Sequence, residues 1–245
     1  KAKVNTSAAM NEVGNDNTAK LQYSKDSNIN GTPGEKEKKD YNYTFDLDKD
    51  VTGDKVTSFI VKTEEKEQGE TTSEPLAGAV FTLYSDENCT RVYKNDIMTN
   101  GTVTSADGTN NTVKGALYIR GLAAGTYYMK ETFAPAGYSI NNDKFKIEIT
   151  ATYHDATSAQ GAGKNVGELK DWTAKVTNGS GQVVFNHTFS GGSVETVVSG
   201  EIPNTKLSSL PSTGGIGTTI FTIGGCAIMI VAAGLFFASR RKSAK

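Results

Sequence analysis

The chain has 245 residues, and its 26 Lys and Arg nearly balance its 27 Asp and Glu. This balance leaves no basic surface on which to expect a nucleic acid. Its two cysteines, Cys89 and Cys226, and two histidines form no recognisable disulfide framework, metal site or catalytic motif, so we expect no cofactor and no metal. The sequence assigns no role to Cys89.

The first forty residues do not predict an independent domain. Residues 1–24 contain two short stretches of strand character, and two strands do not make a stable sheet by themselves. We therefore interpret them as the end of a preceding β-domain, and the chain as a fragment or processed product of a longer protein. Residues 25–40 are polar and are interrupted by Gly31, Pro33 and Gly34, which is typical of a linker.

Residues 41–205 contain many short apolar or alternating segments separated by turns, with no helical periodicity before residue 216. The segments are 41–47, 56–63, 75–84, 115–119, 126–132, 145–150, 172–176, 182–189 and 194–205. This pattern favours an all-β domain, an antiparallel β-sandwich, over 41–205.

Residues 216–239 form an uncharged, predominantly apolar run that is followed directly by Arg240, Arg241 and Lys242. As a helix the run would reach about 36 Å, enough to cross the hydrocarbon core of a bilayer. Basic residues stay on the cytoplasmic side, so we predict a transmembrane helix at 216–239, a cytoplasmic tail at 240–245 and a secreted remainder. The alternative is a buried helix of a soluble core.

Residues 206–215 read as a short exposed linker that carries a sorting motif. The motif consists of Leu210, Pro211, Ser212, Thr213 and Gly214. Together with the apolar run and the basic tail, it resembles the sorting signal of Gram-positive surface proteins. The resemblance implies that a sortase attacks the carbonyl of Thr213, that Gly214 leaves, and that the acyl group passes to an amine of the cell-wall precursor or of another subunit. The protein would be anchored in the cell wall after transient membrane retention.

Three further phrases lie in order along the chain: Lys62 ahead of LAGAVFTLY at 76–84, YYMKETFAPAGY at 127–138, and IPNTK at 202–206. They resemble the B-type domains of collagen-adhesin (Cna) and pilin proteins. The resemblance implies an immunoglobulin-like sandwich in which the Lys62 amine condenses with the Asn204 amide and releases ammonia, assisted by Glu131.

The residue types suit such an isopeptide reaction. Burial would lower the pKa of Lys62 and so supply a neutral amine, while Glu131 would donate to the Asn204 carbonyl and shuttle the proton. The alternative is an ordinary ion pair of Lys62 with Glu131 and a turn role for Asn204. Lys49 and Lys55 are the other candidate donors.

An asparagine in residues 1–24 resembles the acceptor of a second cross-link in the preceding domain of such pilins. Asn17 is the candidate, with Asn15 the next choice, and the lysine partner would lie upstream of this chain. The alternative is a solvated loop asparagine.

These resemblances imply a structural protein, not an enzyme: a sortase-assembled pilin subunit whose partners are the sortase, other pilin subunits and the cell-wall precursor. The alternative function is a surface adhesin that is anchored singly to peptidoglycan and binds a host ligand.

Overall fold

A computed structural model describes residues 7, 14–23, 34–48, 60–190, 193–198, 200–207 and 216–242. Within these residues it shows twelve strands and two helices. The strands are β1 (Asn15–Tyr23), β2 (Gly34–Asn42), β3 (Ile60–Glu64), β4 (Val80–Tyr84), β5 (Thr102–Thr104), β6 (Ala116–Leu117), β7 (Gly125–Phe133), β8 (Lys144–Tyr153), β9 (Leu169–Thr177), β10 (Val183–Ser190), β11 (Ser193–Val198) and β12 (Gly200–Asn204). The helices are α1 (Ala156–Ala162) and α2 (Ile216–Lys242).

The strands follow the alternation of apolar and polar residues in the sequence. In β8, Phe145, Ile147 and Ile149 are buried while the residues between them are partly exposed, since neighbouring side chains of a strand point to opposite faces. The inward side chains of the sheets form one core, in which the rings of Phe45 and Trp172 lie 4.8 Å apart. Burial of the inward faces of the seven-stranded and three-stranded sheets is thus what holds the sandwich together.

The strands form a seven-stranded sheet in the order β11-β10-β9-β8-β7-β4-β5, a three-stranded sheet β12-β3-β6 and a two-stranded sheet β1-β2. The predicted all-β fold with antiparallel sheets is confirmed, with one difference. Strand β12 pairs with β3 in parallel. Parallel neighbours need a long crossover, and the whole of the seven-stranded sheet lies in the chain between these two strands.

Residues 34–40 of the predicted linker belong to β2 and pair with β1. The composition correctly indicated that these residues bury little, since most of their side chains are exposed. Backbone hydrogen bonds between β1 and β2 form nevertheless. Lys20 of β1 also forms ion pairs with Glu35 and Glu37 of β2. The described residues divide into two compact units, Lys1–Lys206 and Leu207–Lys245. The division of 1–206 into a preceding domain, linker and sandwich stays a prediction.

Helix α1 was not expected from the sequence, because seven residues are too few to show a helical period. It is defined by its caps instead. The Asp155 side chain accepts from the Ser158 N–H at the N-terminus, and Gly163 ends the helix with a left-handed conformation.

In the second unit, residues 216–242 are helical, as α2. Among the described residues, no helix has both the length and the apolar character needed to cross a membrane. The predicted membrane crossing is therefore not confirmed. The sorting motif, Leu210, Pro211, Ser212, Thr213 and Gly214, lies outside the described residues.

Candidate functional site

Lys62 lies in β3, the central strand of the three-stranded sheet. Ile60 and Lys62 occupy the inward-facing positions of this strand, so the lysine takes a place that the alternation reserves for a core side chain. Its side chain has no exposed surface, and its amine lies 6.0 Å from the centre of the Phe81 ring. The predicted burial of Lys62 is observed.

Asn204 ends β12, the parallel neighbour of β3. The register pairs Ile202 with Lys62 and Asn204 with Glu64. Since residues two apart on a strand share a face, Asn204 lies diagonally across from Lys62 on the inner face of the sheet. The Lys62 Nζ donates to Asn204 Oδ1 at 2.5 Å and to the Ile202 carbonyl at 2.8 Å.

Glu131 approaches from the seven-stranded sheet, where β7 places it opposite Phe81 of β4. Its Oε1 accepts from Asn204 Nδ2 at 2.8 Å, and its Oε2 lies 3.7 Å from Lys62 Nζ. Lys62, Glu131 and Asn204 are 0%, 5% and 1% exposed. The three side chains that the sequence singled out therefore meet between the two sheets, in the interior of the sandwich.

One detail differs from the sequence-based expectation. Glu131 was expected to donate to the Asn204 carbonyl oxygen, but its carboxyl accepts from the amide nitrogen instead. The carbonyl oxygen is held by Lys62. Lys62 donates to the amide oxygen from the adjacent strand of the same sheet, so the amide nitrogen is left to donate to Glu131, which comes from the facing sheet.

The electrostatics of this site favour a reactive amine. Burial lowers the pKa of Lys62 from 10.5 to about 8, against the opposing effect of the Glu131 carboxyl, which raises it. Desolvation disfavours the charged ammonium, so a sizeable share of the amine is neutral near pH 8. The arrangement thus holds an amine and an amide at hydrogen-bond distance in a dry site, with a carboxyl group positioned to move protons.

Among the described residues, Asn17 is a predicted residue that is not part of this site. Asn17 lies in β1 opposite Asp40 with an exposed side chain, and its role as an acceptor stays a prediction. The alternative donors Lys49 and Lys55 lie outside the described residues. Cys89 is half-buried, and burial raises the pKa of its thiol. Among the residues that are described, no group of three or more His, Cys, Asp or Glu side chains could hold a metal ion.

One residue of the site, Asn141, was not predicted from the sequence. The backbone N–H of Asn141 donates to Glu131 Oε2 at 2.7 Å. Every residue except proline has a backbone N–H, so the residue type does not indicate this donor. Asn141 also lies three residues past the last tyrosine of the 127–138 phrase. Only the path of the loop after β7 brings it to the carboxyl.

Two family models match the chain. Residues 61–164 match the SpaA prealbumin-like fold domain, and residues 202–245 match the LPXTG cell wall anchor motif. The first includes Lys62 and Glu131, while the second includes Asn204 and the sorting motif.

The chain is also similar to the trypsin-resistant surface T6 protein of Streptococcus pyogenes serotype M6. The two are 31% identical over 280 residues, which cover 99% of this chain and 48% of that protein. The chain therefore spans about half the length of this curated relative.

Two solved structures are similar to parts of the chain. The T6 backbone pilin of serotype M6 Streptococcus pyogenes is 18% identical, with a TM-score of 0.42 over 84% of this chain and 46% of that one. Domains D2 and D3 of the major pilin SpaD from Corynebacterium diphtheriae are 18% identical, with a TM-score of 0.37 over 80% and 59%. At such TM-scores the likenesses add nothing to the fold described above. The family models and the curated relative confirm the resemblance to Gram-positive sortase-assembled pilins found in the sequence: the chain has a prealbumin-like SpaA domain and the LPXTG anchor motif of a cell-wall-anchored surface protein.

Proposed function

We propose that this chain is part of a structural pilin subunit whose sandwich is stabilised by an autocatalytic isopeptide bond between Lys62 and Asn204. The observation that carries the proposal is the buried contact of these two side chains with Glu131. An ordinary ion pair needs only the lysine and the carboxylate. The asparagine amide, held between both, supplies the electrophile that a condensation requires.

The reaction forms the bond between Lys62 Nζ and Asn204 Cγ and breaks the bond between Cγ and Nδ2. The neutral amine attacks the amide carbon, and one amine proton is transferred to Nδ2, which leaves as ammonia. Glu131 suits this transfer because its two oxygens face the two nitrogens: Oε2 lies 3.7 Å from Lys62 Nζ, and Oε1 accepts from Asn204 Nδ2 at 2.8 Å. The carboxyl group can take the proton on one side and deliver it on the other. The event happens once per molecule, so the chain is not an enzyme.

The bond would have a mechanical consequence. Lys62 and Asn204 are 142 positions apart and lie in the adjacent strands β3 and β12 near the two ends of the sandwich sequence. Tension applied beyond these residues would pass through one covalent bond instead of separating the strands. Closing so long a loop would also stabilise the folded state by a few kcal/mol, by analogy with a disulfide. Both effects suit a subunit of a fibre.

Intact-mass spectrometry of the purified chain tests the bond. The unsubstituted chain should weigh about 17 Da less than its sequence because one ammonia is lost. Glu131→Gln and Asn204→Ala should each restore the full mass, whereas Asn142→Ala, at an exposed neighbouring asparagine, should still show the loss. A full-mass product from the unsubstituted, folded chain would refute the isopeptide bond.

The second part of the proposal concerns assembly. Sortase would cleave between Thr213 and Gly214 and join Thr213 to an amine of another subunit or of the cell-wall precursor. The LPXTG match over residues 202–245 supports this assignment.

Incubation of the chain with a sortase and an amine acceptor tests the cleavage. The expected product ends at Thr213 and carries the acceptor, and Thr213→Ala should block its formation while Ser212→Ala, at the variable position of the motif, should not. Cleavage at another site, or equal reaction of both variants, would contradict the assignment.

A further inference from the structure

The segment that follows β7 runs alongside the end of β12. Tyr138 forms an antiparallel bridge with Lys206, and Ser139 donates to the Thr205 carbonyl through its N–H at 2.9 Å and its hydroxyl at 3.1 Å. Further along, Asn141 Nδ2 donates to the Pro203 carbonyl at 3.0 Å. The contacts fall on both sides of Asn204. We call residues 138–141 the clamp.

Asn141 contacts both sides of the candidate reaction centre. Its backbone N–H donates to Glu131 Oε2 at 2.7 Å, and its side chain holds the carbonyl of Pro203, the residue before Asn204. One residue therefore links the proton-transferring carboxyl to the strand that carries the electrophile.

The side chain of Asn141 is itself held in one orientation. Its Oδ1 accepts from the Asp143 N–H at 2.8 Å, an Asx-type turn. Since an N–H can only be met by the oxygen of the amide, the nitrogen is left to face Pro203. Asparagine is suited to this position because it offers one acceptor and one donor on a short side chain. Aspartate keeps the acceptor and loses the donor, and alanine loses both.

We propose that Asn141 is a positioning residue for isopeptide formation, and that the clamp sets the distance between Glu131 and Asn204. This inference rests on the proposed Lys62–Asn204 bond. The hydrogen bonds of Asn141 run to Glu131, Pro203 and Asp143 and not to the side chains of Lys62 or Asn204, so Asn141 acts through Glu131 and through β12. Proton transfer and amide attack depend steeply on geometry, and an ångström of misplacement costs on the order of a hundredfold in rate.

The test follows ammonia loss by mass in chains made in a cell-free system and quenched in acid at intervals, between about pH 6 and pH 9 across the Lys62 titration. Asn141→Ala keeps the backbone donor and loses the contact with Pro203, so it should react at least about tenfold more slowly. Asn142→Ala, at the exposed adjacent position, is the matched control and should react at the rate of the unsubstituted chain.

The pH profile separates positioning from a merely structural role. Asn141→Ala should slow the reaction at every pH. The pH at which the rate reaches half its maximum should not change, because Lys62 keeps its surroundings. Asn141→Asp adds a carboxylate beside Glu131 and loses the donor to Pro203, so it should both slow the reaction and move its midpoint to higher pH. The aspartate variant has almost the same shape and serves if the alanine variant does not fold.

Reaction of folded Asn141→Ala and Asn141→Asp at the unsubstituted rate, with an unchanged midpoint, would overturn the role of Asn141 while leaving the proposed bond intact. Absence of ammonia loss from the unsubstituted chain would overturn both.

Discussion

Lys62 is a lysine in a position built for an apolar side chain, and its surroundings determine its chemistry. A buried ammonium is costly unless it is paired, and here it meets a carboxyl group, an amide oxygen and a backbone carbonyl. Even with these partners, desolvation dominates and the pKa of Lys62 falls to about 8. An amine with such a pKa is neutral often enough to attack and still basic enough to be a nucleophile.

The rate of bond formation should therefore depend on pH in a defined direction. Below the Lys62 pKa of about 8, the neutral fraction grows with each rise in pH, so the rate should increase nearly tenfold per unit and level off above pH 8. Cell-free synthesis with acid quenching and mass detection measures this rate. A profile that is flat between about pH 6 and pH 8, or that falls, would show that deprotonation of Lys62 does not limit the reaction.

At the scale of the elements, the pairing of β3 with β12 determines which side chains lie beside Lys62. Their parallel register sets Ile202 beside Lys62 and so puts Asn204 on the same face as the lysine. A slip of one residue would turn Asn204 to the opposite face. The register is supported from the other side of β3, where Lys62 donates its backbone N–H to the Gly115 carbonyl at 2.8 Å. Gly115 has φ +81°, and a Cβ there would lie 2.7 Å from the Lys62 carbonyl oxygen.

Substitution of Gly115 should destabilise this part of the sheet. Gly115→Ala strains the backbone and forces a close contact with β3, so the free energy of unfolding should fall by about 1–3 kcal/mol. Gly78→Ala is the matched control, since Gly78 has φ +84° and open space around its Cβ position, and it should cost less. Urea unfolding of both variants, each combined with Asn204→Ala to prevent the bond, gives the comparison. If the two variants lose the same free energy of unfolding, the close approach to the Lys62 carbonyl oxygen contributes nothing beyond the backbone strain.

At the scale of the whole molecule, the proposed bond would divide the chain into a part that bears load and a part that is shielded from it. The 142-residue separation between Lys62 and Asn204 includes β4 to β11 and most of the core. Strands held only by hydrogen bonds and apolar contacts separate under force, whereas the ring closed by an isopeptide bond cannot lengthen. The clamp and the parallel pairing of β3 with β12 would then serve mainly to position the reacting side chains so that the bond forms.

Force spectroscopy can test this division. When the chain is pulled from both ends, Asn204→Ala should release about 480 Å of length as the enclosed residues unfold, at about 3.4 Å per residue. The unsubstituted chain should not release that length, and neither should Asn142→Ala. Release of the enclosed length by the unsubstituted chain would contradict the load-bearing role.

Several features of this protein follow from the sequence alone. Alternation of apolar residues determined the β-fold, and three ordered phrases, through their resemblance to Cna B-type domains, singled out Lys62, Glu131 and Asn204, which lie in contact. The LPSTG motif identified the anchor. These features depend on local pattern or on residue type, so they can be read without knowing which strands become neighbours.

Only the tertiary structure decided the rest. The parallel pairing of β3 with β12, the approach of Glu131 to the amide nitrogen, and the contact of Asn141 with Glu131 all join residues that are distant in the chain or that interact through the backbone. Helix α1 and strand β2 depend on caps and on a ladder that composition does not reveal. The physical reason is common to all of them, since hydrogen bonds between separate segments are specified by the path of the backbone in space and not by the side chains along any one stretch.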